Sequence, residues 1–567
     1  MQLKKVNETF SVSEQLDVAD IETLKAEGVS VLICNRPDGE ASEQTPYDDI
    51  ARAAKEAGME AISLPFRSGE LTEDIVDQFS SLISARERTH AYCRTGNRSF
   101  CVFAASEAKR GKDRESLLAL GNEVGFDIRK TIDKYYSGED MTESDSKVEV
   151  DSSVKSTYDV VIIGAGSGGI AVAASLRKRK AGLRIAVIDP SEEHFYQPGW
   201  TMVGGGVFDV ATTRRETVNL IPSGVSWIKN RAARVVPQSN EVQLEDGSCV
   251  CYGQLIVAPG LVLDWDAVKG LKDALGKEGV TSNYTFKTAP YTHELVKGLK
   301  KGRAIFTQPP MPIKCAGAPQ KALYLSADYW RRANVLSDID VQFYNAGGVL
   351  FGVADYVPAL QSYIDRYGAT VNYNHNLCEI DADNKLAYFK HKPAEGEEEI
   401  VSTEYDMIHV CPPQCAPAFI AESGLADGGG WLDVNQFSLR HNTFDNIWGL
   451  GDVMNTPNAK TMAAVRKQVP VVADNLCAVL DGKEIGSGYD GYGSCPLTVE
   501  NGKIVLAEFG YGGKLLPTFP TWMLEGTKPT HRAWVLKASI LPGIYWNAML
   551  KGHEWLAGPQ PLSTLQN

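Results

Sequence analysis

Residues 158–179, YDVVIIGAGSGGIAVAASLRKR, restrict what this chain can fold into more than any other stretch. An apolar run ends in a glycine-rich turn and passes into small and aliphatic residues at helical spacing. Gly164, Gly166 and Gly169 fit G-x-G-x-x-G. The first glycine permits the tight turn, the second lets a pyrophosphate approach the backbone, and the third lets helix pack on strand. The free amides of the helix start then face the phosphates. The next strand, LRIAVID, ends in Asp189, about twenty residues on and placed for a ribose hydroxyl. The glycine motif is weak alone, but strand, turn, helix, second strand and acid together predict a dinucleotide-binding unit.

The rest of the chain bounds the answer. Its 567 residues allow three or four domains. A net charge of −14 argues against nucleic acid, whose phosphates need a cationic surface. A local patch could still meet a membrane. The first ten residues, MQLKKVNETF, lack the apolar core of a secretory signal. No run of about twenty apolar residues predicts a spanning helix. The 11 cysteines are odd in number and have no CxxC spacing. That suits a reducing compartment with a few reactive thiols, and neither a disulfide scaffold nor a metal site.

Composition divides the chain. Residues 1–136 alternate strands (29–34, 59–66, 89–93) with helices (21–28, 48–58, 76–88), a small α/β domain. Residues 137–157 are polar, acidic and lack aromatics, and read as a flexible linker. An FAD-binding domain is predicted over 158–286 and 436–510, with a second nucleotide-type domain, 287–435, inserted in it. Residues 511–567 form a tail. Within 446–453, NIWGLGDV, a strand ends in Gly451-Asp452 before a helix, an arrangement many flavoproteins use to hold the ribityl chain.

The inserted domain departs from the nucleotide pattern where it matters. Its strand at 303–307 leads into PPMPIKCAGAPQK (309–321), where a two-nucleotide flavoprotein has its second glycine loop. Here Cys315 stands at the mouth of a helix, with Lys321 one to two turns on. Both the helix start and the lysine favour thiolate over thiol. A site for NAD(P)H gives way to a site for a thiol.

At this point the resemblance is specific. YQPGW (196–200), PIKCAGAPQK (312–321), GLGD (449–452), AKTMAAV (459–465), YDGYGSCPL (489–497) and YWNAMLKG (545–552) resemble sulfide:quinone oxidoreductases of the mitochondrial type. The resemblance implies FAD, a redox-active cysteine pair at Cys315 and Cys495, hydrogen sulfide as donor, quinone as acceptor, and monotopic attachment at the cytoplasmic face of a membrane. It also matches Lys321 to a lysine of the thiol loop and Lys460 to one near the flavin. Sulfide attacks a disulfide sulfur and leaves a persulfide, and a thiol such as glutathione, or sulfite, removes the outer sulfur. Rival readings are a type II NADH:quinone dehydrogenase and a disulfide reductase; the CxxxxC that would mark the latter is absent beside the first glycine turn. Cys249, Cys251, Cys378 and Cys477 read as small hydrophobes. Cys411 and Cys415, in a rigid CPPQC turn, read as structural.

The tail, 531–558, is rich in aromatic and aliphatic residues edged by His, Arg and Lys. Pro542-Gly543 predicts a break into two short helices, neither able to cross about 30 Å of hydrocarbon. They suit lying in the membrane interface through Trp534, Leu536, Ile540, Leu541 and Ile544. Packing on their own domain, or a homo-oligomer interface, are the alternatives.

In the first domain, THAYCRTGNRSFCVFAAS (89–106) is strand, loop and helix, with Cys93 opening the loop and Arg98 near its end. Together with NRPDGE (35–40) it resembles the phosphatase-like domain attached to beta-lactamase-hydrolase-like proteins. Its C-x₄-R spacing is one short of the tyrosine phosphatases. CRTGNRS is also similar to the active loop of rhodaneses. A phosphatase needs a general acid, and Asp38, Glu70 and Asp74 are the candidates. The shorter loop favours a persulfide on Cys93 over a phosphoester; a docking module without chemistry is the third reading. The expected fold class is therefore α/β: a small phosphatase-like domain, then two nested Rossmann-type domains of disulfide-reductase-like architecture, then an amphipathic helical tail.

Overall fold

A computed structural model describes residues 3–7, 9–40, 44–66, 71–84, 88–124, 126, 128–132, 156–393 and 396–565. The chain divides into two compact units, Met1–Ser152 and Ser153–Asn567. Most of the expected linker, 137–155, lies outside the described residues, and Ser156 and Thr157 already belong to the first strand of the second unit.

The first unit is built on a five-stranded sheet. Thr89–Tyr92 lies between Phe10–Ser13 and Val31–Cys34, all parallel, with Glu60–Ser63 beyond. Lys4–Lys5 pairs antiparallel at the other edge. Every residue of Val31–Cys34 and Thr89–Tyr92 is buried, as a parallel sheet covered on both faces requires. One face packs Phe10, Phe79, Phe100 and Phe103, and Phe10 stacks on Phe103 with ring centroids 4.6 Å apart. The other face packs Leu24, Ile50 and Tyr92. The strand at Phe10–Ser13 escapes the sequence reading because FSVS is short and half polar.

The second unit holds two parallel sheets. In the first, Ser156–Ile163 pairs with Ile185–Ile188 and with Cys249–Val257, and Ile447–Gly449 returns beside the latter. The helix Ser167–Arg179 follows the glycine turn. Gly169 is obligatory there: an added Cβ would lie 1.8 Å from the Gly164 carbonyl oxygen. The second sheet orders Val280–Thr281, Met407–His409, Gly302–Gln308, Ile339–Asn345 and Thr370–Tyr373. Its edge strand Val280–Thr281 precedes residue 287, where the sequence reading begins that domain.

One hairpin packs on the second sheet. The hairpin Gly493–Glu500 and Lys503–Phe509 was expected within the FAD-binding domain. Its Cys495, Leu497, Val499, Val505 and Ala507 instead join the core of the second sheet, with Leu323, Tyr324 and Phe343. Alternate hairpin residues are apolar, so the strand buries one face wherever a matching helix lies. The helix Ala318–Arg332 supplies that surface.

The tail also differs from expectation. Pro542-Gly543 does not break it. Helical residues run from His531–Val535 through a π-turn, Leu536–Ile540, into Leu541–Asn547. Pro542 falls in the first turn of the last piece, directly after the π-turn. Among the described residues no helix is long and apolar enough to cross a membrane.

Candidate active site

The loop after Gly302–Gln308 delivers Cys315 to the start of the helix Ala318–Arg332. Cys315 takes a φ of 84°, a left-handed conformation that costs a non-glycine residue about 1–2 kcal/mol. Such strain is found where a side chain must be aimed. Gly317 admits the hairpin: a Cβ there would meet Leu497 Cδ2 at 2.1 Å and Cys495 Sγ at 2.9 Å. Cys315 Sγ and Cys495 Sγ lie 3.3 Å apart, 180 residues apart in sequence. Lys321 Nζ donates to Cys315 Sγ at 3.1 Å.

The electrostatics separate the two sulfurs. The hydrogen bond from Cys495, with help from the Lys321 ammonium, holds the Cys315 thiol well below its ordinary pKa against the burial that opposes it. The same hydrogen bond and burial push Cys495 up. Burial works against the charge on Lys321, yet the two sulfurs hold its pKa above the ordinary value. Both shifts favour the negative charge on Cys315 and the proton on Cys495.

A cavity of about 450 Å³ opens beside Cys315. Its lining includes Gly166 of the glycine turn, Gly451, Asp452 and Lys460, and Lys314, Cys315 and Lys321. An added Cβ on Gly166 would meet nothing within 4 Å, so the helix start is open to a ligand. Trp200 Nε1, Thr201 Oγ1 and the Asn283 amide are buried without a partner among the described residues, and all three residues line the cavity. Buried polar atoms left unpaired mark a place for a polar group. Lys460 Nζ donates to the carbonyls of Asp452 at 2.8 Å and Met454 at 2.6 Å. Burial lowers its pKa to about 8, and burial raises that of Asp452. Gly164 and Gly169 shape the turn from behind. Asp189 accepts from the amides of Ala165 at 2.6 Å and Ser191 at 2.8 Å and stands outside the cavity lining.

The tail contributes residues that the sequence reading missed. Lys537 is buried, donates to the Pro198 carbonyl at 3.1 Å and feels the charges of Lys321, Cys315 and Cys495. Burial, then Lys321, lowers its pKa to about 7. Tyr545 is fully buried between the glycine-turn helix and His194. His194 Nδ1 donates to the Ala165 carbonyl at 3.0 Å, so Nε2 accepts from the Tyr545 hydroxyl at 2.6 Å. Ser167 Oγ completes the chain at 2.7 Å from Tyr545. The available signal was a stripe: Ala533, Lys537 and Tyr545 share the buried face, and a lysine on such a stripe needs a reason to be there. Of the five residues expected to meet lipid, Trp534 and Leu536 pack around Leu506 and Leu524, while Leu536, Leu541 and Ile544 line the cavity. Ile540 is 46% exposed.

Cys411 is buried near Tyr284, and burial raises its thiol to about 12. Cys415 is exposed.

In the first unit Cys93 is buried at the end of Thr89–Tyr92, four residues before the helix Asn97–Lys109. Arg98 is engaged by a carboxylate: Nη1 and Nη2 donate to Glu40 Oε1 and Oε2, each at 2.7 Å. Of the candidate acids, Asp38 accepts from the Tyr47 amide at 3.0 Å and Asp74 from Gln78 at 2.7 Å, so both serve local helix contacts. Glu70 lies outside the described residues.

Comparison with known proteins agrees with this geometry. Residues 2–110 match the family "Beta-lactamase hydrolase-like protein, phosphatase-like domain", and residues 158–296 match "Pyridine nucleotide-disulphide oxidoreductase". The mitochondrial sulfide:quinone oxidoreductase of Mus musculus is 39% identical over 411 residues, 72% of this chain and 90% of the relative. A beta-lactamase hydrolase-like protein of Xylella fastidiosa is 28% identical over 134 residues, 23% of this chain and 31% of that protein. The sulfide:quinone oxidoreductase of Aquifex aeolicus superposes with a TM-score of 0.58 at 18% identity, over 70% of this chain and 92% of that one, which shows the shared fold. With Cys315 on the thiol loop meeting Cys495 of the hairpin, and relatives matched over nearly their whole length, the chain belongs to the sulfide:quinone oxidoreductase family.

Proposed function

We propose that the second unit oxidises sulfide to sulfane sulfur through Cys315, Cys495 and FAD, with a quinone as acceptor. The observation that carries this reading is the sulfur pair itself, 3.3 Å apart with Lys321 on one member. In the oxidised pair the two sulfurs are bonded. Hydrosulfide attacks Cys495, the S–S bond breaks, and Cys315 leaves as thiolate while Cys495 keeps the persulfide. The lower-pKa sulfur is the better leaving group, which fixes this direction. Lys321 holds the charge released on Cys315. Lys537, with a pKa of about 7, can hold or give up a proton beside the pair. A thiol such as glutathione, or sulfite, then takes the outer sulfur and frees Cys495.

The residues fit a dinucleotide flavin. The turn Gly164, Gly166 and Gly169 would take the pyrophosphate at the helix start. Asp189 keeps a second lone pair on each oxygen for a ribose hydroxyl. Gly451, Asp452 and Lys460, with the unpaired Trp200, Thr201 and Asn283 groups, would face the remainder. FAD, when bound, supplies a two-electron acceptor for the thiol pair and a donor for quinone.

Exposed apolar side chains support a membrane source for the quinone. Trp555 and Leu556 are 66% and 67% exposed and line the cavity. Trp522, Met523 and Ile540 add exposed apolar surface. We place peripheral attachment on this surface. The test is spectroscopic. Under nitrogen, sulfide should bleach the bound flavin and a ubiquinone analogue should restore it, while NADH does neither. Bleaching by NADH and none by sulfide would defeat the assignment.

For the first unit we propose carriage of sulfane sulfur at Cys93. The observation favouring it over a phosphatase is that Arg98, the anion-binding residue of such loops, already holds the Glu40 carboxylate. Mass spectrometry of the full chain after treatment with a persulfide should show one added sulfur on the Cys93 peptide. Brisk Cys93-dependent hydrolysis of an aryl phosphate with no such adduct would decide for the phosphatase.

A further inference from the structure

The Cys93 site carries its own anion. Among the described residues of the first unit two arginines are buried, Arg36 at 5% exposure and Arg98 at 7%. Both converge on one carboxylate. Arg98 grips Glu40 with two parallel hydrogen bonds of 2.7 Å, and Arg36 Nε donates to Glu40 Oε2 at 3.0 Å. Arg98 is further fixed by the Phe66 carbonyl at 2.8 Å, and Arg36 by Gln15 Oε1 at 2.8 Å. This fork-to-fork geometry is the one a guanidinium offers to a phosphate or sulfate. The Arg98 guanidinium also faces the Cys93 sulfur: burial opposes its charge, and the Glu40 hydrogen bond and the sulfur's charge outweigh that. The Arg98 hydrogen bond, against the cost of burial and with Arg36 behind it, holds the Glu40 carboxyl below the ordinary range. Glu40 therefore stays ionised and cannot act as a general acid near neutral pH. Ser99, next to Arg98 in the first turn of the helix, is fully buried with its hydroxyl unpartnered among the described residues.

We propose that Glu40 is the specificity-determining residue of the Cys93 site: it fills the two-arginine fork and so turns away dianionic donors while admitting the sulfane sulfur of an organic persulfide. This rests on the reading of Cys93 as a sulfur carrier. In the admitted reaction, the Cys93 thiolate attacks the outer sulfur of R–S–SH. The S–S bond of the donor breaks, R–S⁻ leaves, and Cys93–S–SH forms. No external oxidant or reductant is needed. Thiosulfate could in principle give the same product and release sulfite, but its two charges meet the Glu40 carboxylate where they would need a free arginine. The discrimination should be about tenfold or more, equivalent to about 1.4 kcal/mol or more, which lies within what a like charge at close range costs.

The test uses the full-length chain and two readouts. Inorganic sulfate, which transfers no sulfur, is the probe of the fork. Its protection of Cys93 from iodoacetamide is read by mass spectrometry of the Cys93 peptide. Glu40→Gln should bind sulfate at least about tenfold more tightly than the unsubstituted chain. Equal protection in both proteins, or protection in neither, overturns the proposal. The second readout needs no variant, so it holds even if Glu40→Gln misfolds. The unsubstituted chain should form the Cys93 adduct with an organic persulfide at a kcat/KM at least about tenfold above that with thiosulfate. Parity, or a preference for thiosulfate, overturns it. Absence of any adduct from either donor would instead remove the sulfur-carrier reading and leave the sulfate result to decide on Glu40.

Discussion

The chain contains two cysteine sites that spend positive charge in opposite ways. At Cys315 the cation is a lysine, and its ammonium donates to the sulfur itself at 3.1 Å. At Cys93 the cation is an arginine, and its fork is taken up by Glu40 at 2.7 Å. A compact ammonium acts on one atom and can be titrated by its surroundings; a planar guanidinium holds a shaped anion and stays charged. On the proposed reading, the first arrangement stabilises a leaving thiolate during a redox cycle. On the same reading, the second fixes the outline of what approaches a sulfur that takes up a sulfane atom without an external oxidant.

The largest effect expected from this contrast is on the pair. Cys315→Ser and Cys495→Ser should each lower sulfide-dependent quinone reduction by about 10³-fold or more, because members of one nucleophilic unit fail together. Cys93→Ser should leave that rate intact in the same assay. Near-normal turnover in Cys495→Ser would dissolve the pair and with it the contrast. Next comes Lys321→Met. Removing a positive charge disfavours thiolate, so the pKa of Cys315 rises and its alkylation at pH 7 should slow by about tenfold or more. An unchanged alkylation profile would show that the ammonium does not set the charge.

A smaller effect is expected at Lys537. Lys321, Cys315 and Cys495 are the charged groups that act on it, and its pKa is about 7. Below that pH it is cationic and supports the thiolate; above it the charge is lost. Lys537→Met should therefore slow alkylation of Cys315 by about threefold at pH 6 and leave it unchanged at pH 8.5. A uniform change across that range would assign the lysine a packing role. Smallest of all, Cys249→Ser should leave turnover and stability within about 0.5 kcal/mol of the parent, as expected of a substitution remote from either site. A marked loss of quinone reduction there would mean that a third thiol participates.

Much of this was readable from local pattern. The glycine turn, the Gly451-Asp452 strand end and the cysteine on the wrong loop for a nucleotide all lie within short segments, where spacing encodes geometry. What stayed hidden depends on distant partners. Nothing local says that the hairpin carrying Cys495 leaves the first sheet for the helix Ala318–Arg332, since any apolar strand face accepts any matching surface. Glu40 sits in the quoted NRPDGE motif, yet only the fold shows it across from Arg98, 58 residues away. The tail read as lipid-facing because its apolar residues outnumber its charges. Its stripe of Ala533, Lys537 and Tyr545 faces protein, and periodicity alone does not name the surface it covers.

Tyr545 has a consequence for how the protein is made. Its hydroxyl links Ser167, at the head of the glycine-turn helix, to His194, so a residue synthesised almost 380 positions later closes the nucleotide cradle. At about 5–20 residues per second, the ribosome releases that tyrosine tens of seconds after the glycine turn. Until then the cradle lacks one wall. Flavin loading is thus expected to wait for completed translation, and ribosome-bound chains stalled before residue 531 should carry no flavin fluorescence above background. Flavin retained on such stalled chains would show that the cradle matures without its last wall.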